Sequence, residues 1–441
     1  MRGNAQSLAP NSNFLSTMLA KVTQIFKIKE LRNKIFFILA LLVVFRLAAN
    51  IPIPGVDQDR LKAFFDSNQL FGLLNLFSGR GLSSISLVML GVGPYITASI
   101  IMQLLTMIVP SLEKIYKEEG EAGRQKFNQW TRFATVPLAA MQTFGMIALF
   151  RSQGIIAATG TMSVISMMVI ATAGTIFLMW LGELITEKGV GNGVSLIIFA
   201  GIVSGIPSTI AKTYATADSS QIFTYLILGV ILIAAIAAVV FMTEGQRNMP
   251  VSYAKRIKGN KMYGGTSTHL PLRINQAGVI PIIFALSIML FPGMIANFLT
   301  KSSNGTIANI AVKMSALFSP SNWFYWLFYF ILVVAFTYFY TAVVFDPNKI
   351  AESLQKQGGY ILGIRPGKNT ADYLYRIMNR ITLSGAVFLG LIAILPFFVE
   401  SFTNVGSVSI GGTGLLIVVS VVIETIKQVQ GQLAMRDYEG F

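Results

Sequence analysis

Residues 222–242 read IFTYLILGVILIAAIAAVVFM, 21 positions without a charge, an amide or a proline. As a helix rising about 1.5 Å per residue, the stretch covers about 30 Å, the thickness of a bilayer's hydrocarbon. Its apolar character is continuous and does not alternate, which argues against the strand of a barrel. Working outward, nine more such stretches lie at 35–49, 85–109, 133–150, 162–182, 194–211, 276–299, 322–345, 381–399 and 410–426. The sequence therefore predicts an all-α membrane protein with ten transmembrane helices. Composition agrees: 54% of the 441 residues are hydrophobic and 12% charged, with a mean hydropathy of +0.64. That leaves too little polar surface for a water-soluble chain.

An even number of spans puts both termini on one side. The tails and even-numbered loops carry 26 of the 34 lysines and arginines. The odd-numbered loops carry seven: Arg60, Lys62, Arg80, Arg151, Lys212, Lys301 and Lys313. Arg46, inside the first stretch, is the remaining one and can snorkel to an interface. The richer side is expected to be cytoplasmic. The N-terminus lacks the apolar core and small-residue cleavage pattern of a signal peptide. Residues 14–34 instead space Leu15, Met18, Leu19, Val22, Ile25 and Phe26 helically, with Lys21, Lys27, Lys29 and Lys34 between them. This predicts an amphipathic helix lying on anionic lipids of the cytoplasmic leaflet; a tail without fixed structure is the alternative.

Absent residues narrow the chemistry. With no cysteine, disulfides, thiolate metal sites and cysteine nucleophiles are excluded, and the single histidine, His269, cannot supply a two-histidine metal site. All 19 acidic residues fall in loops or at helix ends, Glu400 and Glu424 coming closest to a span. An ion-coupled pump needs a carboxylate near the midplane, and an intramembrane protease needs a buried nucleophile with its base or paired carboxylates. Neither pattern is present, so no catalytic residue and no cofactor is expected. A conduit or a scaffold remains, with an inverted-repeat secondary transporter of small solutes as the alternative.

Three local features bear on that choice. Gly91-Val92-Gly93-Pro94 and Gly278-Val279-Ile280-Pro281 echo each other in the second span of each five-span half, and chance in a Gly- and Val-rich chain explains a four-residue echo as easily as duplication does. Because five is odd, a duplication would have to be inverted in the membrane. Between the first two spans, Leu70, Phe71, Leu73, Leu74, Leu76 and Phe77 form an apolar run too short to cross, either a loop packed on the bundle or a movable stopper. Loops 243–275 and 346–380 are longer than a connection requires and strongly basic, suited to an acidic protein face or to RNA phosphate, or serving only to fix orientation.

Longer stretches carry a resemblance: Arg46–Val56 (RLAANIPIPGV), Tyr95–Leu105 (YITASIIMQLL), Met179–Pro207 (MWLGELITEKGVGNGVSLIIFAGIVSGIP), Ser267–Asn275 (STHLPLRIN), Ala277–Ala285 (AGVIPIIFA), Phe336–Pro347 (FTYFYTAVVFDP), Gly359–Leu374 (GYILGIRPGKNTADYL) and Gly411–Val419 (GGTGLLIVV). Running from the first span to the last, these resemble the SecY family, channel-forming subunits of the bacterial Sec protein translocase. The resemblance implies a cell inner-membrane channel that passes unfolded secretory precursor proteins and releases transmembrane segments sideways into lipid. Its partners would be SecE, SecG, the SecA ATPase, the ribosome and signal sequences.

Domains follow: a cytoplasmic tail (1–34), an N-terminal half (35–211) with a plug segment (57–84), a C-terminal half (212–426) and a cytoplasmic tail (427–441), the halves closing as a clamshell around an hourglass pore. Carried over motif by motif, the pore ring falls on Val92, Ile96, Val194, Ile198, Ile283 and Ile417. The plug would be the run at residues 70–77, with Arg80 where a small residue is commoner in the family. The lateral gate would involve Pro94, Gln103, Pro281 and Ser287. SecA or the ribosome would meet Lys255, Arg256, Arg365 and Lys368. His269 is expected to serve structure and not catalysis.

Overall fold

The computed structural model describes residues 27–54, 56, 57, 60, 61, 64, 81, 82, 85–117, 119–156, 160–215, 222–253, 256–258, 261–263, 267–300, 304–403 and 406–439. The run at 70–77, Arg80, Lys255 and residues 1–26, which include positions 14–26 of the expected amphipathic helix, lie outside the described residues. The first helices in chain order are α1 (Lys29–Ala49), α2 (Gly93–Ile108), α3 (Pro110–Lys117), α4 (Gly120–Ser152), α5 (Thr161–Lys188), α6 (Gly193–Ala215) and α7 (Ile222–Glu244). Strands β1 (Gln246–Tyr253), β2 (Arg256–Lys258), β3 (Lys261–Tyr263) and β4 (Ser267–Arg273) follow. The rest comprises α8 (Ile280–Leu299), α9 (Gly305–Leu317), α10 (Trp323–Val344), α11 (Pro347–Lys356), β5 (Gly359–Ile361), α12 (Lys368–Thr403) and α13 (Gly406–Glu439).

Each of the ten apolar stretches lies wholly or partly on one helix. Among the described residues, five helices (α4, α5, α7, α10 and α12) are long and apolar enough to cross a membrane alone. The pair α2–α3, bent by 112° at Val109, makes a sixth if taken as one span. Several threonines within these helices are satisfied locally. Thr131, Thr135 and Thr143 of α4 and Thr337 and Thr341 of α10 each donate a hydroxyl to the carbonyl four residues back.

The structure departs from expectation in four places. The second span begins as a helix only at Gly93; residues 85–92 form turns, because Gly91 takes a left-handed φ of 58° and Pro94 cannot accept a preceding helical turn. Residues 29–34 are continuous with the first span, joined by an i,i+4 pair between Lys34 and Glu30. The last helix runs on to Glu439, so the expected tail from 427 begins as a continuation of it. The basic loops, finally, contain strands. Met249 and Val251 alternate with exposed Asn248 and Pro250, a period of two that selects a strand. Strand β1 pairs antiparallel with β4 and with β5, so both long loops share one three-stranded sheet in the order β4-β1-β5. That sheet packs on α11 and the start of α12 through Met249, Val251, Leu272, Leu354, Ile361 and Leu374.

Two contacts show how closely the helices approach. Gly193, first residue of α6, lies where a Cβ would overlap the Gly182 carbonyl of α5. Thr186 Oγ1 bridges the same junction, donating to Gly182 O at 2.8 Å and accepting from Gly193 N at 2.9 Å. At the sheet end of α7, Lys427 Nζ of α13 donates to Thr243 O at 3.0 Å and pairs with Glu244 at 3.1 Å, closing a helix C-terminus with a cation. Gly193→Ala is expected to destabilise the folded chain by about 1–3 kcal/mol, the usual cost of overpacking. A lowered thermal midpoint of the purified assembly checks it.

Candidate functional site

The four-residue echo turns out to be a shared backbone device. Gly91 and Gly278 both take left-handed φ, 58° and 63°. Val92 and Val279 follow as helix N-caps with nearly identical dihedrals, φ −92° and ψ 5° against φ −95° and ψ −7°. Neither cap is closed by a side-chain hydrogen bond, and Pro94 and Pro281 each occupy the second helical position, where a missing N–H costs nothing. The first regular hydrogen bonds of the two helices then run from Ile96 N to Val92 O at 3.0 Å and from Ile283 N to Val279 O at 3.2 Å. Ile96 and Ile283 are thus equivalent positions of α2 and α8, and those helices pack against each other.

All six residues carried over as a pore ring meet in one apolar cluster. Val92, Ile96, Ile198, Ile283 and Ile417 are buried within it and Val194 packs against it. The caps bring in Val92, Ile96 and Ile283, while α6 supplies Val194 and Ile198 one turn apart. Val194 packs over Gly182, where an added Cβ would come within 3.1 Å of Val194 Cγ2. Ile417 comes from α13, which is let close to α6 by Gly414 against Ile202.

Ile96, Val194, Ile198 and Ile283 also line a cavity of about 670 Å³. The rest of its wall is largely polar, with Tyr95, Gln125, Asn128, Gln129 and Asn192 among the lining residues. Arg132 Nε of α4 donates to Glu183 Oε1 of α5 at 2.7 Å on this wall. Motif reasoning missed that pair. The signal was present, since the apolar stretches end at 133 and 182 and leave opposite charges side by side at one boundary.

Of the gate residues, Pro94 and Pro281 are buried in the first turns of α2 and α8. Gln103, on the cavity wall, donates from Nε2 to Ser99 Oγ at 3.2 Å, and its Oε1 has no partner among the described residues. Ser287 donates to Ile283 O at 2.9 Å within its own helix. The α8 helix packs on both α2 and α10.

Arg365 and Lys368 are exposed in the turn from β5 into α12. That turn is fixed by left-handed Gly363 and Gly367 and by Thr370 Oγ1 donating to Arg365 O at 2.9 Å. Arg256 lies in β2, opposite Tyr263. His269 is exposed in β4 opposite Pro250. No group of three or more histidines, cysteines or acids suited to a metal occurs among the described residues.

A bundle of long apolar helices, with a large apolar cluster beside a largely polar cavity, belongs to the class of helical membrane proteins. The SecY family profile matches residues 86–426. Protein translocase subunit SecY of Halalkalibacterium halodurans is 44% identical over 435 residues, covering 96% of this chain and all of the relative. The corresponding subunit of Streptomyces coelicolor is 43% identical over 443 residues, with 96% and 100% covered. This chain belongs to the SecY family. Among solved structures, a protein-conducting channel shares its fold with a TM-score of 0.59 at 18% identity, covering 89% of this chain and 90% of that one. Sec61 in a canine ribosome–channel complex from the endoplasmic reticulum gives 0.57 at 18% identity with the same coverage.

A Cβ on Gly278 would have room, its nearest neighbour being Glu424 Oε2 at 4.0 Å, so substitution there costs backbone strain alone. Gly278→Ala should lose about 1 kcal/mol and Gly278→Asn less, because asparagine tolerates the left-handed region. Thermal midpoints of the two variants, compared side by side, test the order.

Proposed function

We propose that this chain is the channel-forming subunit of a protein translocase, passing unfolded secretory polypeptides through the membrane and releasing transmembrane segments laterally. One observation carries the reading: six residues from α2, α6, α8, α13 and the turn before α2 share one apolar cluster, which we read as the constriction of a channel. Such a waist holds no ordered water column, so ions meet a desolvation barrier, and it offers an extended chain no hydrogen-bonding partner. Its β-branched side chains are stiff at χ1 and suit a close gasket. With two valines in the ring, more of the resting seal falls to the plug at residues 70–77. The small-solute transporter is not favoured, since nothing in it calls for long basic loops or a plug-like run.

In this reading ten spans form two inverted halves of five in the cell inner membrane, with both termini cytoplasmic. The twin Gly-Val-x-Pro caps support the inversion, and the excess of lysine and arginine supports the orientation. The seam between α2 with α4 and α8 with α10 is the lateral gate, at Pro94, Gln103, Pro281 and Ser287. The sheet module is the docking platform for the SecA ATPase and the ribosome, through Lys255, Arg256, Arg365 and Lys368. The fold shared with ribosome-bound Sec61 and with a yeast Ssh1 complex on the 80S ribosome supports the ribosome as partner. SecE clasps the two halves and SecG completes the complex; energy comes from those partners, and this chain has no catalytic step.

The absence of cysteine allows a direct test. Ile283→Cys, assembled with SecE and SecG, is challenged with a secretory precursor carrying one cysteine and stalled partway by SecA and ATP. Oxidation should yield an adduct that requires both ATP and the signal sequence. An assembled, transport-competent complex that gives none would replace the conduit with a scaffold. For the platform, Arg365→Glu should lower ATP-driven translocation about tenfold or more, as loss of an interface hot spot does, without changing assembly.

A further inference from the structure

We propose that α9 is a membrane-surface helix whose apolar stripe lies among the acyl chains at the bilayer boundary remote from the three-stranded sheet. The chain leaves β4 into α8, which runs away from the sheet, and α10 returns toward α11 and β5. Helix α9 joins their far ends. Its 13 residues cover about 20 Å, too short to cross hydrocarbon.

The helix divides into three arcs at about 100° per residue. Ala308, Ala311 and Ser315 face inward, and α9 packs closely on α8. On one flank of that arc, Ile307, Ile310, Met314 and Leu317 form an exposed stripe at i, i+3, i+7 and i+10, with Ile310 56% exposed. Val312 is exposed on the other flank. Thr306, Asn309 and Lys313 occupy the arc facing away, all exposed. An apolar arc beside the protein contact and a polar arc opposite it is the division an interface helix needs.

The neighbours fit the same boundary. The stripe continues onto exposed Ile295 and Leu299 of α8, surface that faces hydrocarbon in a membrane protein. Trp323, 67% exposed, opens α10 at this level, and Trp326 Nε1 donates to Pro320 O at 2.6 Å, the aromatic signature of a headgroup boundary. The helix is held in place. Asn304 Oδ1 accepts from Thr306 N at 3.1 Å, and Asn322 Nδ2 donates to Ala316 O at 3.2 Å. Lys313, next to the stripe, has the reach to place its ammonium among headgroup phosphates. If α8 and α10 flank the lateral gate as proposed above, α9 ties that side of the gate to lipid.

Three single-cysteine variants of the full chain, Ile310→Cys, Met314→Cys and Asn309→Cys, are labelled with an environment-sensitive fluorophore. They are assembled into phosphatidylcholine–phosphatidylglycerol vesicles carrying lipids with nitroxides near the headgroup or deep in the chain. Labels at 310 and 314 should be quenched several-fold more by lipid nitroxides than the label at 309, with aqueous iodide giving the reverse order. Equal iodide access at all three positions overturns the proposal. So does shielding of 310 and 314 from both quenchers, which would mean that protein covers the stripe. The readout is location, so it stands whether or not the assembly translocates protein.

Discussion

Hydrocarbon offers a peptide group no hydrogen bond, so a chain crossing it must satisfy its own backbone, and a helix does so only where it is unbroken. A closable constriction makes the opposite demand, because side chains from several elements must reach one point, which requires helices to start and stop inside the bundle. The twin caps reconcile the two. A left-handed glycine turns the chain, a valine caps it, and a proline in the second position removes a donor that would otherwise be unsatisfied. Ile96 and Ile283 then sit on the first hydrogen-bonded residue of their helices. Three of the proposed ring positions, Val92, Ile96 and Ile283, therefore lie at helix starts, where backbone disruption is least costly.

Close approach elsewhere serves the same end. Gly182 and Gly193 let α6 lie hard against α5, with Thr186 satisfying the freed amide between them. Gly414 does the same for α13 against Ile202. Side chains at any of these positions would push Val194, Ile198 or Ile417 away from the common point. Small residues matter more here than in a soluble core, because between helices in lipid only packing and hydrogen bonds hold the contact.

Much of the fold was legible in the sequence because hydropathy is a direct reading of the solvent. The ten apolar stretches fall on helices for that reason, and the long motifs singled out Val92, Ile96, Val194, Ile198, Ile283 and Ile417, which share one apolar cluster. What remained hidden depends on backbone geometry or on contacts between distant segments. Gly-Val-x-Pro looked like a chance echo until φ at Gly91 and Gly278 made it a repeated cap. The strand period over Met249 and Val251 was short and interrupted by Pro250, and its partner Ile361 lies more than a hundred residues away. Arg132 and Glu183 were each counted as loop charges, although their pairing at 2.7 Å belongs to the cavity. Helix α9 was too short for a hydropathy window set to find spans.

In the channel proposed above, the distribution of polarity explains how one chain can be both sealed and permissive. A polar cavity wall keeps water beside the constriction on one side, so a polypeptide arriving there gives up few hydrogen bonds before it meets the apolar ring. The ring is thin, on the order of one or two helical turns on each contributing helix, so only a short length of cargo is desolvated at a time. The energetic barrier for a small ion is then high, because an ion has no other part of itself left in water. For a long chain the same barrier is lower per residue, since its neighbours stay hydrated on either side. Selectivity for polypeptide over ions needs no recognition site, only a waist that is apolar, short and flanked by water.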